Sequence, residues 1–363
     1  MRSNFIKKRF LEFGLEDVAK DRLGNVKGVI PADNSKVCVL ISAHMDTLDF
    51  SEKEILVSIA EDKAIGAGIG DNSLGLAAML TVAECLKNAQ IGLDSNLVFV
   101  ATVAEKGEGD SQGMRYFLKR VGYEVLFGLC LEGLPLGYIG HWSEARVRFE
   151  IRCKLSEAKS VQDRPVCRAD AGPGRGDAIA CMSEIVSKLY GLRLPSKPKT
   201  RLDIARIWGG TGYDAAAREA TIRGELLSED DRQLAKLEGE IRGLTEAISC
   251  KYGAKGTVKV INRSFQAGVS SHHFLVRLTK TIHSQLGIIS KPRPCFGDGG
   301  VLLRRDIPCL TLGISTGGHQ FNAHGYVDIP PILLGLKQVL MVLLEGERLV
   351  SDGGQNKFER NTQ

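Results

Sequence analysis

Three short, nearly unbroken apolar runs constrain this chain more than any other feature: residues 36–42 (KVCVLIS), 96–102 (NLVFVAT) and 125–131 (VLFGLCL). Runs of this length without polar alternation predict strands covered on both faces, the pattern of parallel sheets. Between them, residues 74–86 and 113–120 carry apolar side chains at helical spacing. Strands that alternate with helices predict an α/β fold with a mostly parallel sheet sandwiched by helices. The middle of the chain breaks this rhythm. Residues 145–153 (ARVRFEIRC) alternate polar and apolar, as a strand with one solvated face does. Further strands are predicted over 201–208, 220–227 and 257–262, with helices over 177–189 and 228–247, the second opened by Ser228 as N-cap. After residue 265 the first rhythm returns, with helices over 273–286 and 331–344 around a buried strand at 308–313. The expected organisation is an α/β domain built from residues 1–143 and 265–363, interrupted by an inserted α+β domain over 144–264. The polar tail from Ser351 predicts disorder.

Composition narrows the class of function. Hydrophobic residues make up 43% and charged residues 25% of the 363, enough apolar material for a substantial core. The 48 Lys+Arg are interspersed with 43 Asp+Glu, and the longest basic cluster is Lys7-Lys8-Arg9, so no nucleic-acid partner is expected. No apolar run reaches the ~18 residues of a membrane span, and residues 1–15 lack the apolar region of a signal peptide. A cytoplasmic location with no membrane partner is expected. The nine cysteines are odd in number, scattered and never in a Cys-x-x-Cys pair, which fits a reducing compartment.

The chemistry-bearing residues cluster where strands end. In an open α/β sheet, ligands bind beyond the carboxyl ends of the strands. His44-Met45-Asp46 follows the first apolar run, and Glu105 closely follows the second. Glu132 ends the third, where an unpaired carboxylate would be costly. Gly70-Asp71-Asn72-Ser73 joins a glycine-rich loop to a helix, and His319 and His324 lie in a late glycine-bearing loop. Each feature alone has a structural explanation, such as a helix cap or a solvated loop acid. Five sites of this kind together point to a metal held by imidazole and carboxylate ligands, with a Glu as general base.

The order His44-Met45-Asp46, Gly70-Asp71-Asn72-Ser73-Leu74-Gly75, Glu105, Glu132-Gly133, Asn322-Ala323-His324 and Tyr326-Val327-Asp328 resembles the two-zinc family of peptidase T, glutamate carboxypeptidase, aminoacylase and acetylornithine deacetylase. The resemblance covers nearly the whole chain. It implies a zinc-dependent hydrolase of amide bonds in small peptides or N-acyl amino acids, with an inserted lid through which the chain forms a homodimer. It implies further that Asp71 bridges two zinc ions across a cis Asp71–Asn72 peptide, and that His44 and Glu132 complete one zinc site while His324 serves the other. Asp46 would orient His44, and Glu105 would carry the proton from water to the leaving amine. Cobalt or manganese would be expected to substitute for zinc.

Several positions depart from the family pattern. Lys106 stands where a second consecutive glutamate usually ligates the zinc nearer His324, and a protonated lysine has no lone pair to offer. Three readings follow: one zinc at His44, Asp71 and Glu132; a second zinc held weakly by Asp71, His324 and water; or Lys106 standing in electrostatically for that metal. One zinc is the preferred expectation, with Glu108 or Asp110 as less favoured replacement ligands. In the inserted domain, Arg168 aligns with a substrate-contacting His, Asp214 with an Asn after the Gly209-Gly210-Thr211 turn, and Leu227 with an Arg. Gly297-Asp298-Gly299-Gly300 replaces a Ser-Asp-Ala-Asn-like turn. Arg168, Asp214 and His319 are therefore the expected substrate contacts. The alternative is a catalytically impaired homologue acting as a binding or dimeric scaffold protein. Gly313-Ile314-Ser315-Thr316-Gly317 also matches a serine-hydrolase elbow, but a loop rather than a helix follows it. His141, His272, His273 and His283 are read as surface or lid residues.

Overall fold

The computed structural model describes residues 1–33, 35–47, 57–155, 176–213, 216–319 and 324–351. They form two compact units, one of Met1–Ser143 with Ala267–Gln363 and the other of Glu144–Gln266.

The larger unit is built on an eight-stranded sheet. Its order is Glu16–Lys20, Val26–Ile30, Asn96–Thr102, Val37–His44, Glu124–Glu132, Cys309–Gly313, Tyr138–Gly140 and Lys291–Arg293. The four strands from Asn96–Thr102 to Cys309–Gly313 run parallel to one another, while Val26–Ile30 and Tyr138–Gly140 pair antiparallel at their flanks. Alternate side chains of the central strands enter two different cores. Val39, Ile41, Leu97 and Phe99 join helices Leu74–Ala89, Phe274–Leu286 and Ile332–Ser351 on one face. Cys38, Leu40, Val98 and Val100 meet helices Gln112–Leu118 and Gly297–Leu303 on the other. Burial on both faces is why these strands read as continuous apolar runs. The first helix, Arg2–Glu12, and the two five-residue strands after it were not expected. The helix buries only Ile6 and Phe10, and the Glu16–Lys20 strand is charged and mostly exposed.

The smaller unit is a four-stranded antiparallel sheet, ordered Thr200–Gly209, Glu219–Ser228, Ala145–Leu155 and Ala254–Ser264. Helices Ala178–Tyr190 and Asp231–Lys251 share a core with it. Inward Val147, Phe149, Ile151 and Cys153 are buried while the residues between them are not, the one-sided pattern read from the sequence. The second helix starts later than expected. Ser228 is still in the ladder, opposite Ala145 and Thr200, and the Asp230 carboxylate caps the helix by accepting from the Arg232 and Gln233 amides. The last helix runs to Ser351, seven residues beyond the predicted stop at 344; the tail predicted to be disordered lies, after Ser351, outside the described residues. Among the described residues no helix is long and apolar enough to cross a membrane.

Candidate metal centre

The site gathers at the carboxyl ends of three adjacent parallel strands. His44 and Glu132 are the last residues of their strands, and Glu105 lies three residues past Asn96–Thr102. Asp71 comes from the turn Ile69–Ser73 that leads into Leu74–Ala89, and its peptide bond to Asn72 is cis. One ligating atom from each of His44, Asp71 and Glu132 lies within 4.8 Å of the others. His44 Nε2 is 3.1 Å from Asp71 Oδ1, 3.7 Å from Glu132 Oε2 and 3.8 Å from Glu105 Oε2.

The imidazole is oriented by its other nitrogen. Nδ1 donates to the Asp46 carbonyl at 2.8 Å, which turns Nε2 toward the carboxylates. His44 is 1% exposed; its buried Nε2 makes no aligned hydrogen bond, and the Asp71 Oδ1 it faces is met by the Lys106 ammonium at 2.9 Å. A buried ring nitrogen is seldom left without a partner, and a cation between it and the carboxylates would supply one. Burial opposes charging His44, yet Glu105, Asp71 and Glu132 outweigh it and push its pKa well above the usual imidazole range. The field that favours a proton at Nε2 equally favours a metal ion. The donor set therefore fits a divalent cation.

Asp46 does not turn the ring with its carboxylate. Its backbone carbonyl does that, while Asp46 Oδ1 is 3.9 Å from Nδ1. The carboxylate instead accepts from the Glu105 amide at 3.1 Å and the Lys106 amide at 2.7 Å. Two charge-assisted bonds thus hold the loop that carries both side chains. The Lys106 ammonium points into the cluster, 2.9 Å from Asp71 Oδ1 and 3.6 Å from Glu105 Oε1. Burial works against its charge, but Glu105, Glu132 and Asp71 prevail and raise its pKa above the ordinary lysine value. For Asp71, burial would raise the carboxyl, but His44 and Lys106 hold it below the usual range. Glu105 is pushed well upward, first by burial, with Glu132 and Asp298 adding to the shift against His44 and Lys106.

The structure also shows positioning residues that the sequence reading passed over. The fully buried Asn72 donates to the Leu131 carbonyl at 2.8 Å and accepts from the Gly133 amide at 2.9 Å. It thereby ties the Asp71 turn to both sides of Glu132. Gly133 allows that approach, since a Cβ there would lie 2.3 Å from the Gly70 carbonyl oxygen. Thr47 Oγ1 donates to the Asp71 carbonyl at 3.0 Å. Asp298 is buried with Oδ2 accepting from Thr102 Oγ1 at 2.5 Å, and burial lifts its pKa to about 6. The Gly-Asp-Asn motif contained the signal for Asn72, because a buried amide at a metal-bearing turn must bond to backbone.

His324 sits on an exposed turn and is outside the three-residue grouping. His319 is exposed with φ 53°, its ring 6.1 Å from that of Tyr326. Arg168 and Asp214 lie outside the described residues. Asp110, a candidate replacement ligand, is paired with Arg115, and Glu108 is exposed. Ser315 is fully buried and donates to the Asp328 carbonyl at 2.5 Å, so the serine-hydrolase elbow is not formed. His141 and His283 are buried rather than on the surface. His283 bridges Ser290 Oγ and Gln338 Oε1 on the far side of its helix from solvent.

Comparison with known proteins agrees with this arrangement. A sequence model described as Peptidase family M20/M25/M40 matches residues 40–345. No curated protein matches the chain in a sequence search. Similar solved structures include a tripeptidase from Staphylococcus aureus, 19% identical with a TM-score of 0.76, covering 95% of this chain and 92% of that one. A di-peptidase from Saccharomyces cerevisiae is 11% identical with a TM-score of 0.72, covering 95% and 90%. The Bacillus subtilis YXEP protein, described as a dinuclear metal binding peptidase, is 18% identical with a TM-score of 0.67, covering 94% and 91%.

Proposed function

We propose that this chain, which belongs to Peptidase family M20/M25/M40, is a zinc-dependent hydrolase of amide bonds in small peptides or N-acyl amino acids. One observation carries the proposal: the buried Nε2 of His44, which makes no aligned hydrogen bond, faces Oδ1 of Asp71 beside Glu132, with a ligand atom of each residue within 4.8 Å of the others. One imidazole and two carboxylates suit zinc, and three protein ligands leave coordination positions open, as catalytic zinc sites do. Bound there, the ion supplies Lewis acidity that polarises a scissile carbonyl and acidifies water.

The residues around the ligands have separable tasks. Glu105 is buried next to the cluster without belonging to the three-ligand grouping, the placement a general base needs. It takes a proton from the attacking water and returns it to the leaving amine. Asp46 holds the Glu105 and Lys106 amides, so the base keeps its distance from the cluster. Asn72 fixes Asp71 against Glu132. We propose in addition a homodimer through the inserted domain, supported by the exposed Ile207 and Trp208 on its edge strand. A second reading, a non-catalytic binding protein, draws on the Lys106 ammonium that sits against Asp71.

The test pairs metal content with turnover on a panel of di- and tripeptides and N-acyl amino acids. Glu105→Gln should keep its metal and lose roughly 10²–10⁴-fold in kcat, while His44→Ala should lose the metal. Zinc-loaded wild type that turns over nothing on the panel would leave the binding-protein reading standing.

A further inference from the structure

We propose that the Lys106 ammonium takes the place of a second metal cation, so that the site holds one divalent ion per chain. The inference rests on the metal-site reading above and deepens it. Asp71 Oδ1 is shared between two positive positions: it lies 3.1 Å from His44 Nε2, beside which the ion would bind, and 2.9 Å from Lys106 Nζ. The oxygen therefore bridges one ion position and one fixed charge. The ammonium is held between two carboxylates, since Nζ also faces Glu105 Oε1 at 3.6 Å, and the Lys106 backbone from which it reaches is tied to Asp46 Oδ2 at 2.7 Å. Nor can it ligate a metal while protonated, since it offers donors and no lone pair.

Charge leads to the same conclusion. The groups within ion-pair range of His44 Nε2 or Lys106 Nζ are the carboxylates of Asp71, Glu105 and Glu132. Even were all three carboxylates ionised, one ammonium and one divalent ion would already balance them. A second divalent ion would meet the ammonium at close range with a surplus of positive charge in a mostly buried pocket. It would also need ligands. Among the described residues, His44, Asp71 and Glu132 form the only grouping of three candidate ligands at these distances. A tethered cation has a further consequence: a chelator can empty the site in a single step, leaving the charge on Asp71 in place.

Metal stoichiometry tests this without relying on activity. The purified wild-type chain, titrated with zinc or cobalt, should bind one ion, and cobalt-loaded protein should give an uncoupled paramagnetic spectrum. Lys106→Glu should bind two ions and show magnetic coupling between paired cobalt ions. Lys106→Met removes the charge without adding a ligand; it should bind its one ion about tenfold more tightly, because a repelling neighbour is gone. Two ions of similar affinity in wild type would overturn the proposal, as would weaker binding by Lys106→Met. A single ion in both wild type and a folded Lys106→Glu would overturn it as well. No ion in any of the three would instead defeat the metal-site reading on which it rests, a different failure and readily distinguished.

Discussion

Asn72→Ala isolates the part of the site that no ligand assignment describes. The side chain is fully buried and makes two bonds, to the Leu131 carbonyl at 2.8 Å and from the Gly133 amide at 2.9 Å. Truncation leaves two buried backbone groups without those partners, at roughly 1–2 kcal/mol each, or about 2–4 kcal/mol together. For a unit of this size that corresponds to a fall in Tm of roughly 5–15 °C, measurable by calorimetry. The same bonds hold Asp71 against Glu132, so zinc affinity should fall by about 10–100-fold, the usual effect of losing a residue that orients metal ligands. Competition with a chromophoric chelator measures that directly. Asn72→Asp sharpens the test. It keeps an acceptor for Gly133 but sets a carboxylate oxygen against the Leu131 carbonyl, and should be at least as damaging. An Asn72→Ala protein with wild-type Tm and wild-type zinc affinity would refute the reasoning, because the bonds would then contribute neither stability nor ligand geometry.

Four further outcomes follow from the same geometry. Asp46→Ala frees the Glu105 and Lys106 amides and should lower kcat by about 10–100-fold while metal content stays at the wild-type value. Gly297 has φ 66°, and a Cβ there would lie 2.2 Å from Glu105 Oε1; Gly297→Ala should cost about 1–2 kcal/mol of stability and reduce kcat by displacing the base. Ser315→Ala removes only a bond to the Asp328 carbonyl and should keep full turnover with about 1 kcal/mol less stability, whereas loss of turnover would revive the nucleophile reading. Burial holds the His283 pKa below its ordinary value, against the raising effect of Gln338. The unfolded chain therefore takes up a proton below about pH 6.5 that the folded chain refuses. Stability should fall as pH drops through that value, until the folded pKa is reached. His283→Gln should flatten the slope of Tm between about pH 5 and 7 relative to wild type.

How much of this was legible depended on which physical force set each feature. The central strands were readable because burial on both faces leaves no room for polar residues, and Val39 and Leu40 now point into opposite cores. The Glu16–Lys20 strand was not, since an exposed edge strand pairs through its backbone and its side chains carry little pattern. Helix starts failed where two caps competed. Ser228 and Asp230 both have suitable side chains, and only the ladder holding Ser228 opposite Thr200 decides between them. His141 and His283 were read as surface residues because an isolated imidazole carries no sign of its partner; those partners, Val269, Ser290 and Gln338, arrive from elsewhere in the chain.

The site divides along the same line. His44, Asp71, Glu105 and Glu132 could be named because a charged group placed at the end of an apolar strand conflicts with its surroundings unless a ligand resolves the conflict. The hold of the Asp46 carboxylate on its loop and the role of Asn72 could not, because the partners are backbone groups: Asp46 holds the amides of Glu105 and Lys106, and the Asn72 side-chain amide clasps the peptide groups on either side of Glu132. Lys106 falls between the two. Its sequence position announces a missing ligand, but only its 2.9 Å approach to Asp71 Oδ1 turns that loss into a replacement of one positive charge by another. A ligand lost without compensation would leave Asp71 open to a second ion. A ligand exchanged for a tethered cation closes that position, and the electrostatic demand of the three carboxylates is then met by one metal.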